Sequence, residues 1–223
     1  MQNNRIEEIV VKIKKGESKM KKSLLAVLMA VALVAPAFAA EKGSMEIDGK
    51  LGLLFSPTMK IEASGMSSDI DYNTTFSLGA DFFYYVEKEI AVGAGLEYVV
   101  SSKIDKIAGE SVPSGFDSHC GTTNLFFQAK YDFIIENDIF NNIYPIVQLG
   151  YGIVSVSSDI SDAVDVKNGL YWGIGVGTTI KENFIVELMY ALNYGTIEPK
   201  EEPITVDATL KIFKLKVGYK FAI

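Results

Sequence analysis

The sequence predicts an all-β fold: an eight-stranded antiparallel up-and-down β-barrel that crosses a membrane, preceded by a signal-peptide helix. Three observations predict it. Eight stretches between Glu46 and Ile223 alternate apolar with small or polar residues at a period of two. Successive side chains of a strand point to opposite faces, so each stretch is a ribbon with one greasy and one polar face. Each run is about 9–11 residues or slightly longer, the length a tilted strand needs to cross a bilayer. The connections also alternate, short near 86–89, 134–142 and 181–183, and long near 56–70, 102–119, 155–168 and 195–207.

The chain opens with a segment that stands outside the barrel. Met20-Lys21-Lys22 is a positive n-region, Ser23 to Ala35 is a continuous apolar run, and Ala37-Phe38-Ala39 is a small-x-small cleavage site. The apolar run is short for a membrane-spanning helix, which needs about 20 residues. Residues 20–39 are therefore expected to be a signal peptide, with Ala40 as the mature N-terminus. Residues 1–19 do not belong in front of such a peptide. Lys14-Lys15-Gly16-Glu17 can be encoded by purine-only codons resembling a ribosome-binding site before Met20, so residues 1–19 are expected to reflect a mis-called start or an extra N-terminal segment.

Residues 40–223 form the barrel domain, read strand by strand. In the first strand Met45, Ile47, Leu51, Leu53 and Phe55 oppose Glu46, Asp48, Lys50 and Gly52. The second sets Tyr72, Thr74, Phe76, Leu78, Ala80, Phe82 and Tyr84 against Asn73, Thr75, Ser77, Gly79 and Asp81. In the third, Ile90, Val92, Ala94, Leu96, Tyr98 and Val100 oppose Ala91, Gly93, Gly95, Glu97 and Ser101. The fourth opposes Thr123, Leu125, Phe127, Ala129, Tyr131 and Phe133 to Asn124, Phe126, Gln128, Lys130 and Asp132. The fifth follows Pro145, with Val147, Leu149, Tyr151 and Ile153 against Gln148, Gly150 and Gly152. The sixth has Leu170, Trp172, Ile174, Val176 and Ile180 against Tyr171, Gly173, Gly175, Gly177 and Thr179. The seventh has Phe184, Val186, Leu188, Tyr190, Leu192 and Tyr194 against Glu187, Met189 and Asn193. The eighth runs to the last residue, with Phe213, Leu215, Val217, Tyr219, Phe221 and Ile223 on one face and Lys214, Lys216, Gly218, Lys220 and Ala222 on the other. Upstream of Phe213, Leu210 and Ile212 carry the opposite parity, which predicts a β-bulge there.

Size decides which face looks inward. An eight-stranded barrel has room inside only for modest side chains or one small ligand. The bulky face cannot fit there, so it faces lipid, with Tyr, Trp and Phe forming interfacial girdles. A lysine facing lipid at the midplane costs about 2–4 kcal/mol, which sends Lys214, Lys216 and Lys220 to the lumen. The same parity places Glu46, Asp48, Asp81, Glu97, Asp132 and Glu187 inside, together with Lys50 and Lys130. Six acids against five lysines predict a salt-bridged interior, since an unpaired buried charge is costly. Barrel closure predicts that the lysines of the last strand lie near Glu46, Asp48 and Glu187.

Residues 40–223 hold 14 Lys, no Arg and 25 Asp plus Glu, a formal charge of −11. Such a chain offers no basic stripe for nucleic acid. Cys120 is the sole cysteine, so no internal disulfide forms. Adjacent His119 and Cys120 point to opposite faces of a strand, so no metal site is expected, and nothing calls for a cofactor.

The motifs Pro145-Ile-Val-Gln-Leu-Gly-Tyr-Gly152, Tyr171-Trp-Gly-Ile-Gly-Val-Gly177 and Val217-Gly-Tyr-Lys-Phe221 resemble those of small outer-membrane proteins of the OmpA/OmpX/OmpW-like β-barrel superfamily. The resemblance covers residues 40–223. It implies an outer-membrane location in a Gram-negative cell, with both termini periplasmic and the long loops extracellular. It also implies a C-terminal assembly signal, here Val217, Tyr219, Phe221 and Ile223, read by the barrel-assembly machinery. In such relatives the signal usually ends in Phe, whereas Ala222 and Ile223 follow Phe221 here.

Some eight-stranded barrels modify lipid A with a His, a Ser and an acid. Here Asp117, Ser118 and His119 are consecutive and do not converge, so the chain is read as non-enzymatic. Its expected role is structural or surface-interacting, as a monomer in contact with outer-membrane lipid and lipopolysaccharide, with Lys60, Lys103 and Lys106 available to phosphates. The alternative is a narrow porin-like, OmpW-like channel for small solutes, with the lumen glycines leaving a cavity. Against that, the glycines make room for Phe126, Tyr171 and Met189.

Overall fold

The computed structural model describes residues 41–63, 66–112, 119–135, 139–157, 164–200 and 205–223. The proposed signal peptide and the segment 1–19 lie outside the described residues. Twelve strands follow in order among them: β1 (Met45–Ala63), β2 (Met66–Tyr72), β3 (Thr75–Tyr85), β4 (Ile90–Ile107), β5 (Glu110–Ser111), β6 (His119–Tyr131), β7 (Phe133–Ile134), β8 (Phe140–Val156), β9 (Val164–Lys167), β10 (Gly169–Ile180), β11 (Phe184–Pro199) and β12 (Val206–Ala222). All pairings are antiparallel. The ring runs β1-β3-β4-β6-β8-β10-β11-β12 and returns to β1, so the first and last strands zip together and eight strands close the barrel. β2 continues the path of β3 between β1 and β4, and β9 continues that of β10 beside β11.

The lipid-facing parity is as expected from size. Phe127 is 77 % exposed and Phe76 63 %, values that only an apolar surround makes tolerable. Aromatic rings gather toward the end that carries the termini, where Tyr219 packs against Phe184 with centroids 5.5 Å apart and Tyr131 against Phe133 at 4.8 Å. Tight turns lie at this end too. Lys181 and Glu182 take positive φ of 47° and 71° between β10 and β11.

At the opposite, far end the strands run on well past the bilayer band. β12 spans 17 residues and β1 19, about 55–60 Å of extended chain against a hydrocarbon core of about 30 Å, so even strongly tilted strands project beyond it. Much of what the sequence presented as long loops at 56–70, 102–119 and 195–207 is therefore strand. Ala108 and Gly109, at φ 52° and 84°, turn the β4–β5 hairpin in the left-handed geometry that two-residue hairpins require.

Bulges explain why the sequence hid these extensions. The β1–β12 register slips between Phe55 and Thr58, three steps on β1 against two on β12, and Ser56 there has φ 36°. The inward parity of β1 changes from Glu46, Asp48, Lys50 and Leu54 to Pro57 and Met59. β4 slips likewise between Val99 and Ser102, so buried Ser102 replaces Ser101 as the inward residue. The bulge expected upstream of Phe213 is not on β12, whose register with β11 is continuous from Tyr219 to Val206. Leu210 and Ile212 keep the inward parity of Lys214 and Lys216. The chemistry of the lumen changes there, and the strand does not.

Candidate functional site

The lumen is the site that the fold builds, and it is stratified. Ten of the eleven charged residues placed inside by parity are buried: Glu46, Asp48, Lys50, Asp81, Glu97, Lys130, Asp132, Glu187, Lys214 and Lys216. Lys220 is partly exposed near the termini.

Near the termini the network crosses the barrel axis. Lys50 on β1 reaches Asp81 on β3 and Glu187 on β11, each at 2.7 Å, and Asp48 at 3.2 Å. Lys130 on β6 pairs with Glu46 on β1, with Lys220 3.9 Å from the same carboxylate. Two tyrosines complete the shell. The Tyr85 hydroxyl stands 2.9 Å from carboxylate oxygens of both Glu46 and Asp132, with one proton to share between them, and Tyr144 donates at 2.9 Å to Glu187. Asn142 donates to the other Asp132 oxygen. The Lys130 ammonium lies 4.2 Å from the centroid of the Phe83 ring, a cation–π contact in a dry setting.

One tier further from the termini, Glu97 on β4 accepts from Lys214 and, at 3.1 Å, from Lys216, both on β12. Ser77 adds a hydrogen bond at 3.1 Å. Tyr171 donates to Gln148 at 2.7 Å, and Gln148 donates to Gln128 at 2.9 Å. The expected partners of the last strand hold for Lys220, which lies 3.9 Å from Glu46, and change for Lys214 and Lys216, which pair with Glu97. Lys216 and Glu187 are register neighbours, yet Lys216 turns to Glu97 and Glu187 is taken by Lys50. In so narrow a barrel a lysine stem spans the lumen as easily as it reaches the next strand, so strand adjacency did not decide pairing.

Large side chains fill the remaining space, and glycines admit them. A β-carbon on Gly177 would stand 2.4 Å from the Tyr144 ring, and one on Gly150 2.7 Å from Phe126 Cβ. Phe126 and Tyr171 stack with centroids 5.4 Å apart, and Met189 is fully buried. Phe83, Tyr85 and Tyr144 were missed as lumen residues in the sequence. Their signal was present, since Phe83 and Tyr85 continue the parity of Asp81, and Tyr144 that of Gln148.

Beyond the charged tiers the lumen turns apolar. Leu54, Met59, Tyr72, Val99, Cys120, Ala208, Leu210 and Ile212 form one buried cluster toward the far end. His119 starts β6 opposite Lys103, beside Cys120 in sequence and not in side-chain direction. Asp117 and Ser118 lie outside the described residues. Among the described residues no group of three or more His, Cys, Asp or Glu could hold a metal ion.

The C-terminal strand presents Val217 outward, with Tyr219 against Phe221 at 4.9 Å and Ile223 71 % exposed. The Ile223 amide donates to the Met45 carbonyl at 2.9 Å, closing the seam to the final residue.

The sequence from 23 to 221 matches the family model of the outer membrane protein beta-barrel domain. The chain belongs to that family. None of the curated proteins matches it. Among solved structures, the outer membrane protein OprG from Pseudomonas aeruginosa superposes with a TM-score of 0.50 at 13 % identity, covering 82 % of this chain and 98 % of that one. Neisserial surface protein A gives 0.43 at 17 % identity, covering 78 % and 96 %. The Escherichia coli outer membrane protease OmpT gives 0.47 at 9 %, covering 82 % and 97 %. At these identities OprG speaks for the fold alone. With the family, the closed eight-strand ring and its greasy exterior, the chain is a transmembrane barrel of the bacterial outer membrane.

Proposed function

We propose that this barrel is a non-enzymatic structural or surface-interaction protein whose lumen is sealed by its own charge network. The observation that carries the reading is Lys50, anchored at 2.7 Å to Asp81 on the adjacent β3 and to Glu187 on β11, two strands away on the other side. Lys130–Glu46 and the Tyr85 and Tyr144 hydroxyls around it tie further strands into the same tier. Moving an ion past such a tier means parting buried pairs, each worth several kcal/mol when broken.

In this reading the termini face the periplasm and the long hairpins stand outside the cell. The exposed aromatic and aliphatic bands sit in outer-membrane lipid, and the hairpins meet lipopolysaccharide or neighbouring molecules as a monomer. Met66, 75 % exposed on the β1–β2 hairpin, is a contact on that surface, while Lys60 is engaged by Glu62 and less free for phosphates. Val217, Tyr219, Phe221 and Ile223 serve the assembly machinery, and the lumen charges serve stability. Residues 20–39 serve as the cleaved signal peptide.

Planar-bilayer recording tests the sealed lumen. The purified barrel is expected to give no discrete conductance steps. Reproducible steps in the native protein would overturn this reading in favour of a narrow solute channel.

A further inference from the structure

At the end that carries the termini, a single hydroxyl stands between two buried carboxylates. Tyr85 Oη lies 2.9 Å from Glu46 Oε2 and 2.9 Å from Asp132 Oδ2. A phenol has one proton to give, and an ionised carboxylate has none. With both acids ionised, one of the two contacts sets oxygen against oxygen with no hydrogen between them. That leaves a buried acceptor bare, in a place where water does not reach it.

The remaining contacts show which acid lacks a donor. Glu46 Oε1 takes the Lys130 ammonium from β6, and Lys220 on β12 stands 3.9 Å from Oε2. Asp132 Oδ1 accepts from the Asn142 amide on β8. That amide is fixed in orientation, because its own oxygen accepts from the Thr179 N–H at 2.8 Å. Glu89, in the turn between β3 and β4, takes the Asp132 N–H on its backbone carbonyl at 2.7 Å. Tyr144 on β8 is turned to Glu187. Among the described residues, Asp132 Oδ2 has the Tyr85 hydroxyl and no other hydrogen-bond partner. The charges of the tier agree, since Lys50, Lys130 and Lys220 serve five acids, Glu46, Asp48, Asp81, Asp132 and Glu187.

We infer that Asp132 Oδ2 holds a proton in the folded barrel, and that this proton makes the Asp132–Tyr85–Glu46 cluster a pH-sensitive latch at the rim that carries the termini. Protonated Asp132 donates to Tyr85 Oη, and Tyr85 donates to Glu46, so each oxygen on the path is matched. The proton comes from water at the rim, where partly exposed Lys220 stands beside Glu46, and no other bond changes. On ionisation Tyr85 keeps one carboxylate and turns its lone pairs to the other, which opens the link between Asp132 and β3. Asp132 lies between β6 and β7, past the end of the spanning strand. Burial pushes its carboxyl above the ordinary range and Glu46 adds to that, while Lys130, the Tyr85 hydrogen bond and Lys220 oppose it. A folded value above the unfolded one, about 3.9, means that the folded barrel binds more protons. The stability lent by the latch is therefore complete below about 3.9 and is lost as pH rises through the folded value.

The test uses the full barrel in lipid nanodiscs, with aspartate carboxyl carbons and the Tyr85 ring carbon that bears the hydroxyl both labelled for NMR. Asp132→Asn assigns the Asp132 resonance and mimics the protonated acid, since its amide can donate to Tyr85 at every pH. In the native protein the Asp132 carboxyl is expected to titrate with a midpoint above about 3.9, and the Tyr85 carbon to shift at that same midpoint. In Asp132→Asn the Tyr85 shift at that pH should vanish, and the fall in urea midpoint that the native barrel shows through it should vanish too. An Asp132 midpoint at or below about 3.9 would overturn the inference, as would a Tyr85 resonance that ignores the Asp132 titration. A proton carried by Asp48 in place of Asp132 gives the first of those results. The native measurements need no variant beyond the one that assigns the resonance, and they read the same whether or not the lumen conducts.

Discussion

Replacing Glu97 by Gln should destabilise the barrel more than any other single isosteric change in its second charged tier. Glu97 is 1 % exposed and receives two ammonium groups, Lys214 and Lys216, with Ser77 as a further donor. The amide keeps the shape and can accept one hydrogen bond, but it leaves two buried cations without a counter-charge. Lys214 then retains the Tyr171 hydroxyl at 3.3 Å and the face of that ring at 5.4 Å. Orphaning a buried charge costs about 3–5 kcal/mol. With a urea dependence of about 2 kcal/mol per molar, the unfolding midpoint falls by about 2 M. Trp172, the sole tryptophan, sits beside Tyr194 on the outer wall and reports the transition by fluorescence in lipid vesicles. Adding Lys216→Met to Glu97→Gln removes one orphan and should recover about half of the loss. A Glu97→Gln loss below about 1 kcal/mol, or a double variant no more stable than the single one, would refute the electrostatic argument.

Other perturbations probe other tiers. Gly177→Ala should cost about 1–3 kcal/mol by driving a methyl into Tyr144, measured as a urea midpoint, and Tyr144→Ala should make the second change nearly neutral. Leu210→Ala should cost about 2–4 kcal/mol, because its side chain is 6 % exposed inside the barrel and not in lipid. Phe127→Lys, at the most exposed ring of the lipid band, should cost about 2–4 kcal/mol in vesicles and far less in a short-chain detergent. Cys120, 7 % exposed, should resist a maleimide in the folded barrel and react fully in urea; rapid labelling of the folded protein would place it outside the cluster.

Parity carried the fold a long way. The single rule that bulky residues face lipid and small or charged ones face inward put Glu46, Lys50, Glu97, Glu187 and Lys214 in the lumen. It failed wherever a residue was inserted without a composition signal. Ser56 adds one residue to β1, so Met59 and Ile61 take over the inward phase, and the sequence read there as a loop. The opposite error arose on β12, where Leu210 and Ile212 are greasy and inward. A rule that equates greasy with lipid-facing must invent a bulge to rescue itself. Pairing was the least legible property, since Lys216 has Glu187 beside it and Glu97 across the lumen, and only three-dimensional packing separates those choices.

The seam between β1 and β12 gives the charged tiers a second meaning. Lys50 on β1 holds Glu187 on β11, and Lys216 on β12 holds Glu97 on β4, so each bond straddles the seam where the two ends of the sheet meet. A sheet that has curled but not joined keeps Lys50 beside Asp81 but strands Glu97, whose two lysine partners both stand across the seam. Half-joined forms are therefore penalised twice, through unmade backbone bonds and through stranded ions. Closure becomes all-or-none, and the finished barrel resists fraying from the very edge at which it was last open.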